Sequence, residues 1–117
     1  MKVKRIVADI AATDVAAAKG FYQDILGLTP LMDFGWVATY GSSEMMQVQI
    51  SFASEGGSGR PVPDLSIEVD DLDEALRRVT AARIAIEYGP ANEPWGVRRF
   101  FVRDPFGRLV NILQHQP

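Results

Sequence analysis

Residues 64–74 read Asp-Leu-Ser-Ile-Glu-Val-Asp-Asp-Leu-Asp-Glu, and this stretch decides the fold. Apolar and polar residues alternate through its first half, and a period of two predicts a half-buried β-strand. Asp71, with Glu74 three positions later, resembles a capping box and predicts that a helix begins there. Four apolar residues then recur at steps of three and four: Leu72, Ala75, Leu76 and Val79. The stretch therefore predicts a strand that passes directly into an amphipathic helix.

Three strand-like segments follow this helix, at residues 86–89, 97–103 and 109–114. The breaks between them are rich in proline and glycine, which favour turns. These breaks are Pro90, residues 94–96 (Pro-Trp-Gly) and residues 104–107 (Asp-Pro-Phe-Gly). The second half of the chain is thus predicted to be strand, helix and three strands.

The first half predicts the same order, which indicates a repeated unit. A strand is predicted at residues 6–10, and Thr13 with Asp14 marks a helix start. The expected helix ends at Gly27 and carries an apolar face made of Val15, Ala18, Phe21, Tyr22, Ile25 and Leu26. Three strands are expected after it, at residues 29–33, 36–40 and 44–52.

A Gly-, Ser- and Pro-rich stretch divides the two halves and is predicted to be a flexible linker. We therefore expect a single domain, residues 1–117, made of module 1 (residues 1–53), a linker (54–63) and module 2 (64–117). A chain of 117 residues that is 47% hydrophobic and 23% charged is long enough to bury one core.

Composition excludes several classes of function. The net charge of −3 provides no basic surplus for nucleic acid. The longest apolar runs are too short for a membrane helix, so we expect no membrane partner and a cytoplasmic location. The chain has no cysteine and a single histidine. Disulfides, thiolate nucleophiles and cysteine-based zinc sites are therefore ruled out, and imidazole-based metal sites have few residues to use.

Residues 21–28, Phe-Tyr-Gln-Asp-Ile-Leu-Gly-Leu, resemble the FYxDxLGL signature of the vicinal-oxygen-chelate superfamily, which includes glyoxalases, bleomycin-resistance proteins and extradiol dioxygenases. Residues 64–72, the Pro-Trp-Gly turn and the Asp-Pro-Phe-Gly turn resemble further motifs of the same superfamily. The resemblance covers essentially the whole chain. It implies an α+β fold of two βαβββ modules that form a curved mixed sheet around a cleft, commonly in a homodimer.

The resemblance also implies where a divalent metal ion would bind in enzymes of this superfamily. The matching positions in this chain are Val7, Asp64, Asn111 and either Gln47 or Gln49. Valine has no donor atom, and one carboxylate among neutral amides is a weak ligand set. We therefore expect no metal ion and no cofactor, and a cleft that binds without metal.

The candidate ligand-binding residues combine these polar positions with aromatic residues expected near the cleft. They are Trp36, Tyr40, Gln47, Gln49, Asp64, Trp95 and Asn111. Each class also has a simpler alternative: core anchors for the aromatic residues, a salt-bridged surface carboxylate for Asp64, and hydrogen bonding to one another across strands for the amides. His115 is expected to lie in a solvated tail, with a late-strand role as the alternative. Arg98, Arg99 and Arg103 are expected on a charged sheet face, and the alternative for one of them is pairing with an anionic group of a ligand.

The leading hypothesis is a homodimeric, metal-independent binding protein for a small molecule that contains an aromatic ring, similar to the superfamily's antibiotic-resistance members. The alternative is a glyoxalase- or dioxygenase-like enzyme with an atypical divalent metal site that includes Asp64. A metal-free enzyme with Asp64 or Glu68 as the base is a narrower form of that alternative. A third hypothesis is a structural or regulatory module that binds another protein. The sequence identifies no catalytic residue.

Overall fold

The computed structural model describes residues 1–24, 27–43, 49–104 and 107–117. Its elements in chain order are β1 (Val3–Ala11), a 3-10 helix (Val15–Ala17), a π-helix (Lys19–Gln23), β2 (Thr29–Asp33), β3 (Val37–Gly41), β4 (Gln49–Ala53), β5 (Leu65–Val69), α1 (Leu72–Ala81), β6 (Ile86–Glu93), β7 (Val97–Arg103) and β8 (Leu109–His115). No helix among the described residues is both long and apolar enough to cross a membrane.

The chain forms two compact units. The first unit is Val7–Val62, and the second unit combines Met1–Ile6 with Pro63–Pro117. Residues 1–6 therefore belong to the same unit as β5 and the elements that follow it. The division into module 1, a linker and module 2 stays a prediction.

In the first unit the strand order is β2-β3-β4-β1. Strands β1 and β4 are parallel, and β3 is antiparallel to both β2 and β4. An apolar cluster packs on one side of this sheet and includes Val15, Ala38, Tyr40 and Phe52. The spacing of two between Ala38 and Tyr40 brings both side chains to that side of β3.

In the second unit the order is β5-β8-β7-β6, with β5 and β8 parallel and the other pairs antiparallel. Helix α1 packs on this sheet through a cluster that includes Leu72 and Phe100, both fully buried, and Val69, Val102 and Val110. Parallel and antiparallel pairs together with helices confirm the expected α+β fold with a mixed sheet.

The helix expected in the first half is shorter and less regular than its sequence pattern predicts. Asp14 occupies the N-cap position, but its side chain makes no capping hydrogen bond. The backbone N–H of Asp24 donates to the carbonyl of Lys19 at 3.0 Å, a π-type bond. Gly20, in the middle of this stretch, is a weak helix former. The predicted helix residues Ile25 and Leu26 lie outside the described residues.

Strand β6 also differs from the sequence-based expectation. Pro90 was expected to end it, but the strand continues to Glu93. The pairing with β7 shifts between Tyr88 and Ala91, so Pro90 lies in an irregularity of the ladder. Such a position tolerates proline because no ladder hydrogen bond requires its missing N–H.

The amino-terminal residues contact β5 and the residue that follows it through two ion pairs and two hydrogen bonds of backbone N–H groups. Arg5 Nε donates to Glu68 Oε1 at 2.7 Å, and Lys4 Nζ lies 3.7 Å from Glu68 Oε2. The backbone N–H of Lys2 donates to Asp70 Oδ1 at 2.6 Å, and Asp70 N–H donates to the Lys2 carbonyl at 3.1 Å. These contacts explain why residues 1–6 belong to the second unit.

Helix α1 begins at the predicted cap, since Asp71 Oδ1 accepts a hydrogen bond from the backbone N–H of Glu74 at 3.1 Å. We expect Asp71→Ala to lower the free energy of unfolding by about 1 kcal/mol, because it removes this cap. Chemical denaturation would measure the loss. Asp71→Asn keeps a capping oxygen and should retain most of the stability; equal losses in both variants would contradict the capping role.

Glu68 gives a prediction on pH. Burial raises the pKa of its carboxyl, but hydrogen bonds from His115 and Arg5 outweigh burial and bring the pKa below its ordinary value of 4.5. The ionised carboxylate therefore stabilises the fold above pH 4.5, and this contribution is lost as the pH falls through the lowered pKa. We expect Glu68→Gln to cost on the order of 2 kcal/mol at pH 7.

Thermal unfolding of both proteins from pH 3 to pH 8 would test this expectation. The difference in stability between wild type and Glu68→Gln should shrink as the pH falls below 4.5. A difference that grows towards acid pH would show that the carboxyl is not stabilised in its charged form.

Candidate functional site

The second unit presents a face opposite α1 that carries most of its buried polar groups. Side chains alternate along β5, β7 and β8, so residues that do not pack on α1 share the other side of the sheet. We call this side the polar face. It is made of Ser66, Glu68, Arg99, Phe101, Asn111, Leu113 and His115.

The strand register arranges the polar face in rows. One row pairs Ser66 with Asn111 and Asn111 with Phe101, and Phe101 is paired with Tyr88 on β6. The next row runs from Glu68 through Leu113 to Arg99. The register thus brings polar groups from four strands side by side.

Arg99 lies at the centre of a buried charged cluster. Its side chain and that of Glu93 are each only 3% exposed, and Arg99 Nε donates to Glu93 Oε1 at 3.1 Å. The hydroxyl of Tyr88 donates to the same carboxylate oxygen at 2.5 Å. Because an unpaired buried charge is costly, this carboxylate offsets much of the cost of burying the guanidinium.

Three aromatic rings surround the Arg99 guanidinium. Its Cζ atom lies 4.8 Å from the ring centroid of Phe101, 5.0 Å from that of Trp95 and 5.4 Å from that of Tyr88. These distances fit cation–π contacts. Trp95 belongs to a turn in which the N–H of Gly96 donates to the Glu93 carbonyl at 3.2 Å. The indole is therefore held by its own turn and by the guanidinium, and it stays partly exposed.

Asn111 lies beside this cluster with one half of its amide paired. The side chain is buried, with the residue 7% exposed, and Nδ2 donates to Ser66 Oγ at 3.2 Å. Within the described part of the chain, no group donates a hydrogen bond to Asn111 Oδ1. A buried acceptor in this state costs free energy until a donor reaches it.

Glu68 and His115 form a second polar pair on the same face. His115 Nδ1 lies 3.0 Å from Glu68 Oε2, and since a carboxylate can only accept, Nδ1 carries the proton. His115 is the last residue of β8 and pairs with Val97. His115 therefore lies in a strand, which is the alternative that the sequence left open, and its side chain is 49% exposed. The lowered pKa of Glu68 makes its carboxylate a weak base at neutral pH.

The structure places Asp64 just before β5, in a fold-stabilising role. Asp64 Oδ2 accepts from the backbone N–H of Leu109 at 3.0 Å, and Oδ1 lies 4.0 Å from Arg108 Nη1. The side chain is 47% exposed. The salt-bridged alternative that the sequence left open describes this geometry, and a ligand-binding role for Asp64 stays a prediction.

The donors that the second unit supplies at the superfamily's metal positions, Asp64 and Asn111, do not fit a metal ion. Val7 is buried and apolar, Asp64 is bonded to a backbone amide, and Asn111 offers one neutral oxygen. No three carboxylate or imidazole side chains in the described ranges lie close enough together to hold an ion. Divalent cations require more carboxylate charge than these residues supply.

The other candidate residues lie in the first unit. Tyr40 is 5% exposed and packs in the apolar cluster, which favours a core role. Trp36 precedes β3 and stacks near Phe34, with 6.5 Å between ring centroids. Gln49 begins β4 and is partly exposed, and Gln47 lies outside the described residues. Ligand binding by these four residues stays a prediction.

Tyr88, Glu93 and Arg99 were not among the candidates. Arg99 was assigned with Arg98 and Arg103 to a charged sheet face, but it is buried, while Arg98 pairs with Asp73 at 2.8 Å. The sequence does contain a signal for this difference. Arg98 and Arg99 are adjacent in a predicted strand, so their side chains point to opposite faces.

Comparisons with known proteins agree with this fold. A family model described as Glyoxalase/Bleomycin resistance protein/Dioxygenase superfamily matches residues 2–112. No curated protein sequence matches the chain.

Several solved structures are similar over nearly the whole chain. A Legionella pneumophila protein described as an NAD-dependent benzaldehyde dehydrogenase is 18% identical, with 96% of this chain and 100% of that chain covered and a TM-score of 0.74. Methylmalonyl-CoA epimerase from Mycobacterium tuberculosis is 20% identical, with 98% and 90% covered and a TM-score of 0.70. A Vibrio splendidus 12B01 superfamily member is 20% identical, with 97% and 99% covered and a TM-score of 0.60.

At these identities the likeness to solved structures shows the fold alone. The family model, in contrast, spans almost the whole sequence, including the residues that build both units. The chain therefore belongs to the glyoxalase/bleomycin resistance protein/dioxygenase superfamily.

Proposed function

We propose that this protein binds a small molecule without a metal ion, and that an aromatic ring of the ligand stacks on Trp95 at the polar face of the second unit. The observation that carries the proposal is the Arg99 guanidinium, held within 5.4 Å of three ring centroids by the carboxylate of Glu93. Small-molecule sites commonly combine an aromatic lining with a few fixed polar groups.

The cluster supports stacking because it fixes Trp95 before a ligand arrives. Arg99 contacts the indole, and Glu93 fixes Arg99. A ligand that stacks on a ring already held in place loses less conformational entropy than one that must order it. Asn111 and Ser66 add polar groups on the same face. Asn111 and Trp95 are also two of the candidate ligand-binding residues that the sequence predicts.

An enzyme with a metal ion at Asp64 is less well supported, because the donors present do not fit such an ion. A metal-free enzyme with Glu68 as the base is also less well supported, since Arg5 and His115 lower the pKa of that carboxyl. The similar fold of methylmalonyl-CoA epimerase makes a CoA thioester a useful competitor in binding tests. Antibiotic sequestration is one use of the proposed activity, and the same tests examine it.

We further propose that the protein is a homodimer, as the superfamily resemblance implies. Ile10, on the part of β1 that belongs to the first unit, is 42% exposed. An exposed large apolar side chain of this kind is available to a protein interface.

The proposed stacking predicts that one of the two tryptophans reports on the ligand. We expect a panel of aromatic antibiotics and simple ring compounds to change the emission of Trp95, and Trp95→Ala to weaken binding about tenfold, because stacking contributes up to about 1.5 kcal/mol. Fluorescence titration and calorimetry would measure these effects.

Trp36→Phe provides the matched control, because it leaves Trp95 as the single tryptophan. This variant should keep the emission change, because the ligand stacks on the remaining Trp95. A response that disappears in Trp36→Phe and survives in Trp95→Phe would place the ligand elsewhere. Silence of every compound in both fluorescence and calorimetry would contradict the binding function itself.

The homodimer predicts a change in mass when β1 receives charge. We expect wild-type protein to sediment as a dimer and Ile10→Lys to shift it towards monomer, because a lysine would bury an unpaired charge at the interface. Analytical ultracentrifugation would measure the two masses. Ile84→Lys, at an equally exposed isoleucine outside β1, is the control and should stay dimeric. A monomeric wild type at all concentrations would refute the dimer.

A further inference from the structure

Asn111 is the polar group on this face whose hydrogen bonding is least complete. It is more than nine-tenths buried, and Nδ2 is directed to Ser66 Oγ at 3.2 Å. Its Oδ1 receives no hydrogen bond from any residue that the structure describes. Proteins rarely keep a buried acceptor in this state, because desolvation of the oxygen is then uncompensated.

We infer that Asn111 Oδ1 is the acceptor for a hydrogen-bond donor on the ligand, so the ligand carries a hydroxyl or N–H group on or beside its aromatic ring. This inference rests on the proposed binding function and adds the chemical class of the ligand. It assigns the last-strand position, which holds a metal ligand in the superfamily's enzymes, to direct recognition by a neutral amide.

The surroundings of Asn111 determine which ligand group fits. Across the ladder its neighbours are Ser66 on β5 and Phe101 on β7, and along β8 the side chains on the same face are Leu109 and Leu113. Apolar neighbours on three sides favour a flat apolar ligand body, and the carbonyl oxygen accepts a single donor from it. A ligand that lacks this donor leaves Oδ1 buried and without a hydrogen bond, which costs free energy.

The charged groups of the face are already paired. Glu93 holds Arg99, and Glu68 is bonded to Arg5 and His115. Ionic recognition would have to compete with these bonds, whereas the amide oxygen has no such competitor among the described side chains. A neutral hydrogen-bond donor is therefore the ligand group that gains the most binding free energy at the polar face.

Access to Oδ1 requires a small rearrangement. The oxygen is enclosed by its neighbours, so the donor reaches it after a rotamer change of the amide or of an adjacent apolar side chain such as Leu113, which is 8% exposed. Side-chain rotation of this kind is fast compared with ligand exchange.

The test compares two ligands that differ in one donor, 2-naphthol and 2-methoxynaphthalene. Both present the same ring system for stacking, but the methyl ether has lost the hydroxyl proton. We expect 2-naphthol to bind wild-type protein about tenfold more tightly, because an unsatisfied buried acceptor is expensive. Calorimetry gives the affinities, and in an NMR titration the Asn111 side-chain amide signals should shift further with 2-naphthol than with 2-methoxynaphthalene.

Variants at Asn111 locate the effect. Asn111→Leu should remove the preference, so that both compounds bind with similar affinity, and Asn111→Asp, which keeps an acceptor oxygen, should retain it. Asn92→Leu is the control, because Asn92 is an exposed asparagine whose side chain accepts from Gln116 Nε2 at 3.2 Å. It should leave the preference unchanged.

Each outcome decides a different question. Equal binding of the two compounds to wild type would overturn the inference and leave the proposed stacking function intact. A preference for 2-naphthol that persists in Asn111→Leu would also overturn it. If neither compound nor any other ring compound binds, the proposed function fails, and the inference that rests on it fails with it. The ligand comparison uses wild-type protein and does not depend on the folding of a variant.

Discussion

The packing of α1 against β5, β7 and β8 is the constraint on which the second unit depends. Leu72 of the helix and Phe100 of the sheet are fully buried in it. Full burial of a large apolar side chain stabilises a fold by about 2 kcal/mol. Since side chains alternate along a strand, fixing one set against the helix directs the other set to the opposite side. The polar face therefore exists because the apolar face is specified.

On that polar face the dominant energetic problem is the charge of Arg99. A buried guanidinium is tolerated only with partners, and here Glu93 supplies the opposite charge while three rings supply favourable electrostatic contact. Movement of either Arg99 or Glu93 would leave the other charge buried and unpaired, so the two side chains are held firmly in place. Such rigidity suits a binding surface, because it also fixes the position of Trp95.

Local sequence signals predicted much of this fold. The bounds of β7 match the predicted segment, and Asp71 caps α1 as expected, because cap and alternation patterns depend on residues close in the chain. The Arg99 cluster could not be predicted in the same way. Tyr88 reaches Phe101 through a shifted register of β6, and Glu93 approaches Arg99 across strands. Register and burial are set by tertiary packing, which a single sequence does not reveal.

The candidate site residues were chosen by their positions in the sequence, but their interactions depend on the surrounding structure. The superfamily resemblance pointed to Asp64 and Asn111 as candidate positions, and the surroundings of these two residues differ. The Asp64 carboxylate accepts from the Leu109 amide and so joins the start of β5 to β8. Asn111 keeps an oxygen that no described side chain satisfies. A carboxylate at position 111 could bind a cation, but the neutral amide of Asn111 has no net charge and makes no long-range ionic interaction with a ligand. Recognition by Asn111 should therefore depend on shape and desolvation, and salt should affect it little.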